Sequence, residues 1–361
     1  MAQTSAERDA RFKALVDILL SIPASIFEPF EIHRTHYQSS SNVIEADLLI
    51  PKKGPGPQIS RPIIVRIHGG FLFTGSSLFP AWFSKWILDF AELHGAVIIS
   101  PNYRLLPEVR GKQLIDDMEA FWTWFNRGGP QQHLESVGRS DVFLDMSRIL
   151  LIGESAGGYL AIQSVLSRFA RPQAMVMLYP MLDMQSEYYN KPYEKPICGV
   201  PNFPNEIIDR FVVSRLGQAS ITEADPPHRL DVALAVVQNG RLVEFLGDEP
   251  DLFVFERLRT NNIPSPETDY DAILPPLFIF HGENDSAVPV SSTLKFVRLL
   301  QGRDVRAQVR MTIRPGDHGF DAYSTVDEVW LREGLNFVTG PWLGSTPSPN
   351  FPCYAMDFTQ R

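Results

Sequence analysis

Apolar residues in the middle of the chain fall into short unbroken runs separated by longer stretches of helical period. The runs are 61–68 (RPIIVRIH), 96–100 (AVIIS), 149–152 and 174–178. Continuous apolar, partly β-branched segments of this length mark strands buried on both faces. Between them, 82–93, 114–125 and 156–169 have the length and amphipathicity of helices. The rhythm returns late, with strands predicted at 276–281 and 307–313 and helices at 290–300 and 325–337. Such alternation predicts an α/β fold with right-handed crossovers: a mostly parallel central sheet of about eight strands with helices on both faces. The segment 41–50 predicts an antiparallel edge strand ahead of the parallel part, and the Pro/Gly-rich 51–58 a turn.

Two regions break the rhythm. Residues 1–40 read as helical and then irregular, and 184–274 are rich in proline and aromatics without a strand–helix repeat. An insertion between two sheet strands belongs over the edge where those strands end. Its Tyr188, Tyr189, Phe203, Phe211, Phe253 and Phe255 need apolar cover. The expected organisation is one domain over 1–361, with a cap made of about 1–40 and 184–274.

The net charge of −9 leaves no basic surplus to neutralise a phosphate backbone, so no nucleic-acid partner is expected. With 44% hydrophobic and 21% charged residues, the chain has the composition of a packed globular protein. The two cysteines, Cys198 and Cys353, are too few for a disulfide framework and predict a reduced compartment. The first 23 residues suit an amphipathic helix better than a signal peptide, the last four match no targeting signal, and no uninterrupted apolar stretch reaches the roughly 18 residues of a membrane span. A cytoplasmic protein without a membrane span is the expectation, its oligomeric state left open.

Chemistry enters with Gly153-Glu154-Ser155-Ala156-Gly157-Gly158, which follows the apolar run RILLI and precedes YLAIQSVLSRFA. A GxSxG at a strand–turn–helix junction is the setting of a nucleophile elbow, where a serine hydroxyl projects from the carboxyl edge of the sheet. An unassisted hydroxyl is a poor nucleophile at neutral pH and needs a base and a carboxylate to orient that base. His318, in RPGDHGFDAY, and Asp285, in HGENDSAVP, each follow a predicted strand. The order Ser155, Asp285, His318 is that of α/β hydrolases. Asp317, Glu283 and Asp321 are competing carboxylates close to the same positions. His68-Gly69-Gly70-Phe71 follows the strand IIVR, where backbone amides can face a developing oxyanion; Gly69, Gly70 and Ala156 are the candidate donors. His33 and His36 have the spacing of one helix face but lack a third ligand, so no metal and no cofactor is expected.

Taken together, HGGFLFTGS, SPNYRLLPE, LDMSRILLIGESAGGYL, LYPMLD, HGENDSAVP and DHGF resemble the hormone-sensitive-lipase-like carboxylesterases of the α/β-hydrolase superfamily over about residues 63–320. The resemblance implies a serine hydrolase of a small, apolar carboxylic ester, with Ser155 as nucleophile, Asp285 as orienter, His318 as base and Gly69, Gly70 and Ala156 as the oxyanion site. The sequence departs from the family where Phe71 replaces the third glycine, where Asn102 and Leu106 stand in the NYRLLPE stretch, and around Asp285. Related hydrolases also serve fungal secondary metabolism, so the alternative is a thioesterase, acyltransferase or lyase/cyclase acting on a polyketide-like intermediate at the same site. A receptor built on this fold would be expected to lose a triad member, and all three are present.

Overall fold

A computed structural model describes residues 5–40, 42–54, 59–260 and 272–344. Its strands are β1 (Phe30–Ser39), β2 (Asn42–Pro51), β3 (Ser60–Ile67), β4 (Val97–Pro101), β5 (Phe143–Glu154), β6 (Ala174–Leu178), β7 (Leu277–Gly282) and β8 (Val309–Arg314). They form one sheet in the order β1-β2-β4-β3-β5-β6-β7-β8. β1, β2 and β4 pair antiparallel, and every pairing from β4 to β8 is parallel. The apolar runs are continuous because both faces are covered. On β3, Ile63, Val65 and Ile67 enter one core layer while Ile64 enters the other. Helices Gly111–Asn126, Ala156–Leu166 and Val290–Arg303 supply the first layer; Lys85–His94 and Val329–Leu343 supply the second.

Three expectations need correction. Residues 30–39 are not irregular but form the edge strand, so 41–50 gives the second strand rather than the edge, and the part of 1–40 available to a cap ends before Phe30. The inward positions of β1 are Thr35, Tyr37 and Ser39, which hides its period of two from an apolar count. Tyr37 Oη donates to Asn102 O at 2.6 Å and Ser39 Oγ to Asp117 Oδ1 at 2.5 Å, so the strand docks through polar groups. His33 and His36, three apart on a strand, point to opposite faces. Finally, the helix Ala156–Leu166 is buried all round rather than amphipathic. Its outer side is covered by the insertion, where Gln163 Nε2 donates to Asp251 O and Leu252 O at 3.0 and 2.9 Å.

The N-terminal helix Ser5–Leu20 meets the insertion, with the rings of Phe12 and Phe203 edge-on at 5.3 Å and the Arg8 guanidinium over Phe203. Cys198 is a free thiol; Cys353, the last four residues, 55–58 of the predicted turn and 261–271 of the insertion lie outside the described residues. Among the described residues no helix is long and apolar enough to cross a membrane.

Candidate active site

The loops leaving β3, β5, β7 and β8 do so at one rim, the carboxyl edge of the parallel strands, where open α/β sheets place their ligands. β5 ends at Glu154, and Ser155 adopts φ +52°, ψ −119° before the helix Ala156–Leu166 begins. A non-glycine residue in such a conformation costs on the order of 1–3 kcal/mol. Fixed partners offset it: the Ser155 amide donates to Leu178 O, and its carbonyl accepts from the Met181 amide, both at 2.9 Å. The turn approaches β3 so closely that a Cβ on Gly157 would lie 2.1 Å from Ile67 O and 2.5 Å from His68 O. Gly157→Ala is therefore expected to destabilise the fold by about 1–3 kcal/mol or more. Denaturant unfolding reads this directly, and an unchanged midpoint would refute the close approach.

Glu154 is buried behind the serine. Its Oε1 accepts from Arg66 Nη2 at 2.5 Å and from the Gly69 amide at 3.3 Å. Arg66, itself fully buried, also donates to the carbonyls of Ser77 and Trp82. Burial pushes the Glu154 carboxyl upward, and Arg66 and the Gly69 amide pull against that shift. This ion pair ties the serine turn to the loop after β3.

That commitment alters the reading of the oxyanion loop. Of the three amides expected to face an oxyanion, Gly69 is already engaged by Glu154. The amides of Gly70 and Phe71 make no hydrogen bond within the described residues, and Ala156 opens a helix, where the first N–H groups have no intrahelical acceptor. Gly70 has φ +109°, and a Cβ there would fall 1.9 Å from Thr74 O. Phe71 and Leu72 are both left-handed, with φ +53° and +70°. Phe71 turns its ring into the core, at 6% exposure. Two clamps hold this strained loop: Leu106 donates its amide to Leu72 O at 2.9 Å, and Thr74 Oγ1 meets the carbonyls of Ala224 and His228 at 2.6 and 2.8 Å.

The loops after β7 and β8 bring Asp285 and His318 together. His318 Nδ1 stands 2.8 Å from Asp285 Oδ2. Asp285 Oδ1 accepts from the amides of Ala287 and Val288 at 2.9 and 2.7 Å, and the side chain is shielded from solvent. Burial works against its charge, but the facing His318 and His281 outweigh burial and hold the carboxyl well below the usual range. Burial likewise disfavours a charged His318 ring, and the facing Asp285 together with Asp317 and Glu154 outweighs it, so the imidazole lies above its ordinary value. The competing acids are occupied otherwise. Asp317 binds the amide of His318 rather than its ring, Asp321 accepts from Ser84 Oγ and Trp86 Nε1, and Glu283 is exposed.

The His318 ring packs against Tyr179 at a tilt of 57°, with centroids 4.4 Å apart. Tyr179 follows Leu178, the residue that accepts the Ser155 amide, so the β8 loop reaches back to the serine's end of the rim. His281, at the end of β7, escaped the sequence reading; its Nε2 is 3.2 Å from Asp285 Oδ2 and 2.8 Å from Val288 O. Its position just ahead of Asp285 was the only available signal. The insertion touches this rim at separate places: the loop after β3 through Gly75 and Ala224, the loop after β7 through Tyr188 and Cys198, and the helix after Ser155 through Asp251 and Leu252.

Known proteins resemble this chain in sequence and in fold. Residues 64–232 match a family described as the alpha/beta hydrolase fold, and 259–341 match the prolyl oligopeptidase family. A probable carboxylesterase of a Phoma species is 32% identical over 308 residues, covering 82% of this chain and 91% of that protein. A probable carboxylesterase of Cochliobolus lunatus is 31% identical over 218 residues, 57% of this chain and 94% of that one. Methylphloroacetophenone synthase of Cladonia uncialis is 25% identical over 338 residues, 82% of this chain but 13% of the synthase. Among solved structures, the esterase LipW of Mycobacterium marinum superposes with a TM-score of 0.55 at 16% identity, over 92% of this chain and 88% of that one. A bacterial heroin esterase gives 0.54 at 21%, over 93% and 90%. At these identities the likeness is one of fold.

Proposed function

The chain belongs to the α/β-hydrolase family and is a carboxylic ester hydrolase, and from that premise we propose that it works through Ser155, His318 and Asp285 on a small, apolar ester. The observation that carries this reading is the 2.8 Å pairing of His318 with a buried Asp285 at the rim where Ser155 stands in a strained turn. His318 takes the Ser155 proton as the hydroxyl attacks the ester carbonyl. The tetrahedral oxyanion receives the amides of Gly70, Phe71 and Ala156, the alcohol leaves with a proton from His318, and water releases the acid from the acyl-enzyme. Among the described residues the Ser155 hydroxyl makes no hydrogen bond; such contacts are often long before substrate binds and tighten in the complex. No metal or organic cofactor is needed for this chemistry.

The N-terminal helix and the insertion act as a cap in this reading. Phe12 against Phe203, and the buried Phe253 and Phe255, give that cap an apolar interior. Esters of bulky apolar or aromatic acids are expected to turn over faster than acetates of the same alcohol. Equal kcat/KM across such a series would remove the cap from substrate selection. Labelling by a fluorophosphonate probe tests the site itself, because an unactivated serine does not react.

A second reading is favoured by the match to about an eighth of methylphloroacetophenone synthase, and to a similar share of the non-reducing polyketide synthase ausA of Emericella nidulans (25% identical, 12% of that protein): release, transfer or cyclisation of an acyl group delivered as a thioester. Product analysis separates the two. Hydrolysis adds the elements of water, whereas an intramolecular lyase or cyclase step gives an isomer of the substrate or expels the carrier without water.

A further inference from the structure

One residue beside each partner of the Asp285–His318 pair joins the two loops that carry them. Ser286 donates its amide to Asp317 Oδ1 at 2.7 Å, and its hydroxyl lies 2.8 and 2.9 Å from the two oxygens of the same carboxylate. Asp317 Oδ1 also accepts the backbone amide of His318 at 2.7 Å. The insertion reaches the same serine from the other side. Cys198 donates its amide to Ser286 Oγ at 2.8 Å, and Tyr188 Oη donates to Ser286 O.

The insertion is itself braced at this point. Tyr188 and Tyr189 pack edge-on at 4.9 Å. Lys195 Nζ donates to the carbonyls of Tyr188, Lys191 and Val237 and sits 4.8 Å from the Tyr188 ring. A stiff segment of the insertion therefore grips Ser286, Ser286 grips Asp317, and Asp317 holds the backbone of His318.

We propose that Ser286 and Asp317 are positioning residues, a clasp between the acid-bearing and base-bearing loops through which the docked insertion keeps the His318 ring in line with Asp285 and Ser155. This rests on the triad assigned above. The Asp285 carboxylate is already fixed by the amides of Ala287 and Val288. The amides of Glu283 and Asn284 donate to Arg314 O and Gly316 O at 2.7 and 3.0 Å and bring the two loops together up to residue 316; the clasp adds the contact beside His318 itself. Displacing a catalytic group by about 1 Å can cost on the order of a hundredfold in rate. Asp317 is exposed and Ser286 lies at the edge of solvent, so losing these bonds should disturb alignment more than folding.

The test is Ser286→Ala, Ser286→Thr, Asp317→Ala and Tyr188→Phe, each assayed in the full chain for kcat and KM on a p-nitrophenyl ester and for its thermal midpoint, with Ser155→Ala alongside. Expected for Ser286→Ala is a kcat lower by about 10- to 100-fold with KM within about threefold and an unchanged melting midpoint. Threonine, which keeps the hydroxyl, should restore most of the kcat. Tyr188→Phe, which removes one hydroxyl on the insertion side, should lower kcat by a smaller factor. A wild-type kcat in both Ser286→Ala and Asp317→Ala, the second of which also removes the amide bond that Ser286→Ala leaves in place, or a loss that tracks a fallen midpoint and is not rescued by threonine, overturns the clasp. If Ser286→Ala does not fold, Asp317→Ala and Tyr188→Phe decide, and a wild-type kcat in Tyr188→Phe overturns the insertion's part. An active Ser155→Ala would instead sink the triad on which the clasp depends.

Discussion

Replacing Ser155 with alanine is expected to lower kcat by roughly four to six orders of magnitude, the range seen when the nucleophile of a serine triad is deleted. What remains is catalysis by the oxyanion donors and substrate binding, so KM should change little. The substitution is clean here. The strained φ of +52° is set by backbone partners, with Leu178 O and the Met181 amide on either side, and alanine presents the same Cβ. The hydroxyl makes no hydrogen bond within the described residues, so its removal leaves no buried group unpaired. The melting midpoint should stay near that of the parent while ester hydrolysis and fluorophosphonate labelling disappear together. A variant that folds and still hydrolyses a p-nitrophenyl ester at the parent's rate would show that the nucleophile lies elsewhere.

How much of this was legible in the sequence follows from where the determinants sit. The parallel sheet could be read because its strands are buried on both faces, so Ile63, Ile64 and Val65 are apolar whichever way they point. The serine turn could be read because its signature is local, GESAGG between an apolar run and a helical stretch, although the partners that fix it, Ile67 and His68 against Gly157 and Leu178 and Met181 at Ser155, lie elsewhere in the chain. β1 escaped because its inward residues, Thr35, Tyr37 and Ser39, are not aliphatic: Tyr37 packs its ring in the core but spends its hydroxyl on Asn102 O, and Ser39 docks on Asp117. The engagement of Gly69 by Glu154 and the grip of Ser286 on Asp317 escaped for another reason. Each joins loops far apart in the chain, and no periodicity or motif records which way such loops lean.

Asp285→Asn is expected to cost about 10,000-fold in kcat, the loss seen when the orienting carboxylate of a serine triad becomes an amide. The local hydrogen bonds dictate how. In the parent, Oδ1 accepts two backbone amides, from Ala287 and Val288, while Oδ2 faces His318 Nδ1 at 2.8 Å. An asparagine must keep its oxygen toward the two amides, since its NH2 would otherwise confront two donors. The NH2 then points at His318 and donates to Nδ1, which forces the ring proton onto Nε2 and leaves that nitrogen unable to accept from serine. The pH profile should move as well, with a definite sign. Asp285 holds the imidazole above its ordinary value against the opposing effect of burial. The parent's kcat/KM should therefore rise with pH through that raised value, as the ring gives up its proton and becomes a base. Without the carboxylate the largest pull against burial is gone and only Asp317 and Glu154 still favour the charged ring, so the imidazole titrates lower than in the parent and the acidic limb of the residual activity should shift to lower pH. A variant within about tenfold of the parent, with its acidic limb unmoved, would mean that Asp285 does not orient the base.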